Sequence, residues 1–326
     1  MGILSLLQEI LIEDRPEVET ITERCLRGRL NTCECRLCLD ACPSGALSLI
    51  ERRIHIDQDK CTACMCCCAV CPNDALDGGY DVAALLAEIT SRQQVVVSCI
   101  RNWENRRDEV AVPCLGIFSA ESLLALGRSG CDRIIFNISE CQACSNHQAA
   151  ARFRASLDHL IGLGANVLTT RLHLDEMQTW AVEAETETRR SYLSHFIGRI
   201  SLAARVGGGE RPQKPKERFN GRRVPTKVRI LETVINDAAP EERENLQMLC
   251  GHRLTINDSC TLCPRCTAIC PTGALKLHRS KPKGQLRFAA THCSGCGLCI
   301  NFCKEKALSL SYPSLLSARP ETALFP

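Results

Sequence analysis

The run Cys260-x2-Cys263-x2-Cys266-x3-Cys270-Pro271, answered by Cys293-x2-Cys296-x2-Cys299-x3-Cys303, decides how this chain is read. Three cysteines spaced by two residues on a tight loop bring three thiolates to three corners of a [4Fe–4S] cube, and the fourth, three residues on, points away from it. Structural zinc and a disulfide framework are the alternatives, but zinc ribbons do not use such a run.

Given twice, the spacing resembles that of the bacterial two-cluster ferredoxins. The resemblance implies interleaved ligation. Cys260, Cys263, Cys266 and Cys303 would hold one cube, and Cys293, Cys296, Cys299 and Cys270 the other. A second such unit lies near the amino end. Cys61-x2-Cys64-x2-Cys67-x3-Cys71-Pro72 is regular, whereas Cys35-x2-Cys38-x3-Cys42-Pro43 has Thr32 where a first cysteine belongs. Cys33, next to that slot, is the expected replacement through a locally altered loop. Cys25, or a three-cysteine [3Fe–4S] site, is the alternative. Cys66 and Cys68 flank Cys67 and read as packed free thiols. Pro43-Ser44-Gly45-Ala46-Leu47 and Pro271-Thr272-Gly273-Ala274-Leu275 match, and Pro72-Asn73-Asp74-Ala75-Leu76 is a variant, so the pattern is an internal duplication.

Working outward, 326 residues suggest two to three domains. A net charge of +3 is too small to argue for nucleic acid. The 25 cysteines are the outlier. Met1-Gly2-Ile3-Leu4 lacks a basic leader and a cleavage site, and no apolar run is long enough for a membrane span. The expectation is a soluble, cytoplasmic protein whose cysteines bind metal in a reducing compartment. Residues 3–12 read as a short apolar helix.

From Asp77 the composition changes. Val82, Leu85, Leu86 and Ile89 fall on one helical face, with Asp81 as N-cap. Val95-Val96-Val97, Val110-Ala111-Val112 and Ile134-Ile135-Phe136 read as buried strands, and Val167-Leu168 as a fourth. Ser119 caps a helix to about Leu126, and Phe153, Leu157, Leu160 and Ile161 mark another. Such alternation predicts a small, mainly parallel sheet. Cys99, Cys114 and Cys141 follow successive strands and Cys144 opens a helix, so these four converge at the carboxyl edge, where α/β sheets bind ligands. Cys131 belongs at the opposite edge. A [2Fe–2S] cluster needs four thiolates and fits this number. Zinc, a redox dithiol at Cys141-x2-Cys144 and idle buried thiols are the alternatives.

Val112-Pro113-Cys114-Leu115-Gly116, then Gly130-Cys131-Asp132-Arg133-Ile134 and Cys141-x2-Cys144, resemble the iron–sulfur delta subunit of methyl-viologen-reducing hydrogenases, a domain that recurs with heterodisulfide-reductase-like proteins. The resemblance covers about residues 94–170. It implies a two-iron cluster and a role linking a catalytic subunit to a larger redox complex. The family's second cysteine, three after the first, is Asn102 here.

Residues 188–193 read as an amphipathic helix. Gly207-Gly208-Gly209 and residues 211–216 read as a linker, with Arg222, Arg223, Lys227 and Arg229 continuing its positive charge. Glu241, Glu242 and Glu244 lead a helix to Cys250, and the tail beyond Leu310 reads as extended. No dinucleotide fingerprint, P-loop or nucleophile–base arrangement appears. His147, beside Cys144, reads as a surface residue.

The expected fold is α+β: two two-cluster ferredoxin-like units (1–78 and 246–326) around a small α/β domain (79–170), with a helical and basic linker at 171–245. The expected function is that of an electron-transfer subunit with no activity alone, holding four [4Fe–4S] clusters and a [2Fe–2S] cluster or zinc. Its expected partner is a catalytic molybdenum, tungsten, nickel or flavin oxidoreductase subunit, with no nucleic acid and at most peripheral membrane association. An enzyme acting at Cys141 and Cys144, or a cluster-based redox sensor, is the alternative.

Overall fold

A computed structural model describes residues 17–102, 109–162, 171–176, 222–278 and 284–313. The segments expected at 3–12, 188–193, 207–216 and beyond 313 lie outside the described residues, as does the strand expected at 167–168.

The first cysteine-rich unit runs through β1 (Glu19–Thr20), a 3-10 turn (Thr22–Arg24), α1 (Leu26–Arg29), α2 (Leu37–Ala41), β2 (Leu47–Ile50), β3 (Arg53–Ile56), α3 (Cys66–Val70) and β4 (Leu76–Asp77). Strands β2 and β3 form an antiparallel hairpin with Leu47 opposite Ile56. Its two-residue turn, Glu51 and Arg52, has positive φ at both positions, the backbone twist that matches tight hairpins. The first and last strands, β1 and β4, pair antiparallel around it.

The middle region is α4 (Val82–Thr90), β5 (Gln94–Cys99), β6 (Glu109–Val112), α5 (Ala120–Gly127), β7 (Arg133–Asn137), α6 (His147–Gly162) and β8 (Leu172–Asp175). The Asp81 carboxylate accepts from the amides of Ala83 and Ala84. The Ser119 hydroxyl accepts from that of Ser122, so both expected caps form. The sheet has order β6-β5-β7-β8 and every pair is parallel. Its fourth strand is β8, at Leu172–Asp175. Phe118, Phe136 and Phe153 meet edge-on or tilted in the core beneath it.

The stretch after Arg222, expected to be helical and basic, folds into α7 (Thr226–Asp237), followed by α8 (Pro240–Cys250). Val228, Ile230, Leu231, Val234 and Ile235 are buried on α7, which packs on α5. Its positive side chains are not a solvated run. Arg222 donates to the Thr267 carbonyl at 3.2 Å, Arg223 pairs with Asp74 at 3.5 Å, and buried Lys227 donates to the Val70 carbonyl at 3.2 Å. The Thr226 amide donates to Asp74 at 2.8 Å and the Arg223 amide to the Pro271 carbonyl at 2.9 Å. One short segment thus fastens the first unit to the second.

That second unit is β9 (Arg253–Ile256), α9 (Arg265–Ile269), β10 (Leu275–His278), β11 (Gln285–Phe288), a 3-10 turn (Ala290–His292), α10 (Leu298–Asn301) and β12 (Leu308–Ser311). It repeats the plan of the first: an inner hairpin, β10 with β11, and an outer antiparallel pair, β9 with β12. The whole is a mixed helix-and-strand chain with one parallel four-stranded sheet. Among the described residues, no helix is long and apolar enough to cross a membrane.

Candidate metal centres

One backbone device recurs four times, at Cys42, Cys71, Cys270 and Cys303. The residue three beyond each cysteine has positive φ: Gly45 (62°), Asp74 (47°), Gly273 (72°) and Lys306 (48°). That left-handed step turns the chain back over the cysteine. It sets the next residue, always alanine, under the sulfur. The amides of Ala46, Ala75 and Ala307 donate to Sγ of Cys42, Cys71 and Cys303 at 3.3, 3.2 and 3.4 Å. At Cys270 the Thr272 hydroxyl stands 3.5 Å from the sulfur and itself takes the Ala274 amide. Each alanine carbonyl then accepts from a cross-strand amide: Asp57 to Ala46, Ile21 to Ala75, Ala289 to Ala274 and Asn257 to Ala307. The leucine that follows each alanine is buried. The copy at Cys303-Lys304-Glu305-Lys306-Ala307-Leu308 escapes sequence matching because neither its proline nor its glycine is kept, though Ala-Leu at the same distance was there to be seen.

A neutral thiol is a weak acceptor and a thiolate a strong one, so amides aimed at sulfur fit cysteines that serve as thiolate ligands. Within each unit, thiols from different loops lie close enough to act on one another. Burial pushes Cys61 up, with Cys67, Cys64 and Cys42 as neighbouring charges. Burial raises Cys35 to about 12, and Cys38 upward as well, each with Cys71 as its leading neighbour in charge. Burial likewise raises Cys293 to about 12, with Cys296 and Cys270 beside it, and Cys299, with Cys296, Cys293 and Cys270 beside it. Cys266 is raised by burial and then by Cys263 and Cys260. Among the described residues, no three Cys, His, Asp or Glu side chains gather closely enough for a single metal ion. A cluster, with irons and sulfides between its thiolates, spaces its ligands more widely than a lone ion does.

Cys66 and Cys68 are more than filler. Cys66 lies beside Cys64 and Cys68 beside Cys67, and hydrogen bonding within each pair lowers Cys64 and Cys67.

At the carboxyl edge of the parallel sheet, Cys99 ends β5, Cys114 lies two residues past β6, Cys141 follows β7, and Cys144 precedes α6. Burial raises Cys114 to about 12 and Cys141 to about 11. Cys99 acts on both, and Cys144 acts on Cys141 and Cys99. The Asn146 amide donates to Cys144 Sγ at 3.4 Å, and Arg101 reaches the same sulfur at 3.8 Å and Ser145 Oγ at 3.0 Å. Asn102 is spent elsewhere: its side-chain amide donates to Asn137 Oδ1 and Ser139 Oγ, both at 3.0 Å. Cys131 is fully buried at the opposite edge, its thiol donating to the carbonyls of Gln93 and Arg133. His147 lies on the first turn of α6, its Nδ1 3.3 Å from the Cys144 carbonyl.

Two junctions join these centres. Gly116, beside Cys114, presses on the first unit so closely that a Cβ there would stand 2.5 Å from the Cys64 carbonyl and 2.6 Å from Cys66 Sγ. Cys33, fully buried, packs with Leu26, Cys296 and Leu298, bridging the first unit to the second. Lys227, unsuspected from sequence, brings its positive charge to Cys71, where burial pushes the thiol up and the ammonium pulls it down.

Residues 259–307 match the 4Fe-4S dicluster domain. That match supports 4Fe–4S binding by this segment. The chain is 46% identical over 43 residues to a component of the ion-translocating oxidoreductase complex of Methanosarcina acetivorans, a stretch covering 13% of this chain and 16% of that protein. No solved structure matches the chain.

Proposed function

We propose that this chain is an electron-transfer subunit of a multi-subunit oxidoreductase, relaying low-potential electrons through four [4Fe–4S] clusters and a [2Fe–2S] centre at Cys99, Cys114, Cys141 and Cys144. Such clusters, when bound, each take up and release one electron. The chain's own residues hold the irons as thiolates, aim amides at the sulfurs, and cover them with the repeated Ala-Leu pairs. The observation that carries the reading is the file of sites. Cys114 stands against Cys64 and Cys66 at one junction, and Cys33 against Cys296 at the other. The sites therefore follow in the order sheet edge, Cys61 loop, Cys35 loop, Cys293 loop and Cys260 loop. A file of sites with separated ends suits a conduit.

The Methanosarcina relative belongs to an oxidoreductase complex, which supports a partner of that class, as does the resemblance of the middle domain to the hydrogenase delta subunit. The partner is a catalytic molybdenum, tungsten, nickel or flavin subunit, and the association is at most peripheral to a membrane.

Anaerobic iron and acid-labile sulfide analysis tests the reading. Four cubes and a two-iron centre give on the order of eighteen irons per chain. A count near eight would sink it. Native purification is expected to retain an oxidoreductase partner, and reductive titration followed by EPR to show several interacting one-electron centres.

A further inference from the structure

The amino-terminal unit has three cysteines, Cys35, Cys38 and Cys71, for its first cluster and needs a fourth. The three regular loops show where a first ligand stands. In each, the residue that donates its amide to a repeat alanine carbonyl precedes the first cysteine by three or four positions: Asn257 before Cys260, Asp57 before Cys61, and Ala289 before Cys293. In the irregular unit the residue playing that part is Ile21, whose amide donates to Ala75 at 2.8 Å. Four positions on lies Cys25.

The match to the Cys293 loop is close in detail. A 3-10 turn intervenes in both, Thr22–Arg24 and Ala290–His292. The cysteine amide closes it in both at 3.1 Å, Cys25 to the Thr22 carbonyl and Cys293 to that of Ala290. The cysteine backbones agree: φ −65°, ψ 129° at Cys25 and φ −77°, ψ 125° at Cys293. Flanking bonds pin this segment to the other ligands. Asn73, two residues past Cys71, donates to the Arg24 carbonyl at 2.5 Å, and Arg27 donates to the Cys35 carbonyl at 2.7 Å.

Cys33 is differently placed. The backbone before Cys35 departs from the regular loops: Ala63, Leu262 and Gly295, each one residue before the second cysteine, have positive φ, and Glu34, one residue before Cys35, does not. The side chain is fully buried among Leu26, Leu298 and Cys296 of the second unit.

We infer that Cys25 is the first ligand of the amino-terminal cluster, in a Cys25-x9-Cys35-x2-Cys38 loop with Cys71 as the fourth thiolate, and that Cys33 is a packing residue between the two units. The extra residues between Cys25 and Cys35 are then an insertion that forms α1 and carries Cys33 to the junction. The inference rests on the cluster reading above.

The test is anaerobic purification of the full chain as Cys25→Ala and Cys33→Ala, with iron analysis and EPR of the oxidised protein. Cys25→Ala is expected to lose about one to four irons and to show a [3Fe–4S] signal absent from the parent, because three thiolates remain. Cys33→Ala is expected to keep the parent iron count and spectrum. Retention of all cubes in Cys25→Ala, or the same cluster loss in Cys33→Ala, overturns the assignment. Should Cys25→Ala fail to fold, Cys25→Ser replaces it: a shifted potential of one cube supports the assignment, and an unchanged set overturns it. An iron count near eight in the parent chain condemns the cluster reading instead, so the two failures are distinguishable.

Discussion

The two cysteine-rich units share one plan and differ in what they lean on. Both have an inner hairpin, an outer strand pair and the alanine device under each cysteine that precedes it. In the first unit, Val18, Cys38, Leu47, Met65, Cys67 and Leu76 belong to one continuous core with Val95, Val97 and Phe136 of the parallel sheet. In the second, the core is small and local: Cys266, Cys270, Ala274, Leu275 and Leu308. A core so small contributes little burial energy of its own. The comparison teaches that the same cysteine pattern is a guest of a larger core in one place and its own scaffold in the other.

Removing iron should separate the two most strongly. Anaerobic chelation is expected to abolish amide protection throughout the second unit while β5, β7 and much of the first unit keep theirs, because metal binding there is folding free energy. Hydrogen exchange read by peptide checks it; equal loss in both units would break the comparison. A smaller effect is expected at the join that makes the first unit a guest. Gly116→Ala forces a methyl group toward the Cys64 carbonyl and Cys66 Sγ. It should cost roughly 1–3 kcal/mol of stability, the usual range for overpacking. It should also slow electron passage between the sheet-edge centre and the first unit, read by stopped-flow reduction. The second unit should be untouched.

The strands β5, β6 and β7, the caps Asp81 and Ser119, and the carboxyl-edge cysteines were legible because each rests on a local rule: apolar runs, capping side chains, and the edge common to parallel strands. The duplicated units were legible from cysteine spacing alone. The start of helix α7 was hidden by Arg222, Arg223, Lys227 and Arg229, whose charges imitate a solvated linker. The first three are spent on Thr267, Asp74 and Val70, partners far away in sequence. Cys33 stands next to Thr32 in sequence, whereas Cys25 is inferred from the long-range hydrogen bond of Ile21 to Ala75. Long-range pairing is the part of a fold that spacing does not carry.

Lys227 offers the next test, again unequal between the units. It is buried, it donates to Val70, and its charge bears on Cys71 of the first unit. A positive charge near a cluster favours the reduced, more negative state and raises the potential. Lys227→Met is expected to lower the potential of the Cys35 and Cys71 cluster by an amount on the order of 1 kcal/mol, tens of mV for one electron. Potentiometric EPR reads it. Equal shifts in both units would mean that the substitution acts through folding.

The finest difference lies in Cys66 and Cys68, since the second unit has Arg265 and Thr267 at the corresponding places around Cys266. The two extra thiols are hydrogen-bonded to Cys64 and Cys67, both proposed ligands of one cube. A donor to a ligand sulfur stabilises the added electron, so removing it lowers the potential. A thiol is a weak donor, so the effect of Cys66→Ala should be smaller than that of Lys227→Met, roughly 0.5 kcal/mol or about 20 mV. The iron count should not change. If Cys66→Ala instead costs a cube, the ligand register at Cys64-Met65-Cys66-Cys67 has been misplaced by one, and the first unit is not the copy of the second that its strand pairing describes.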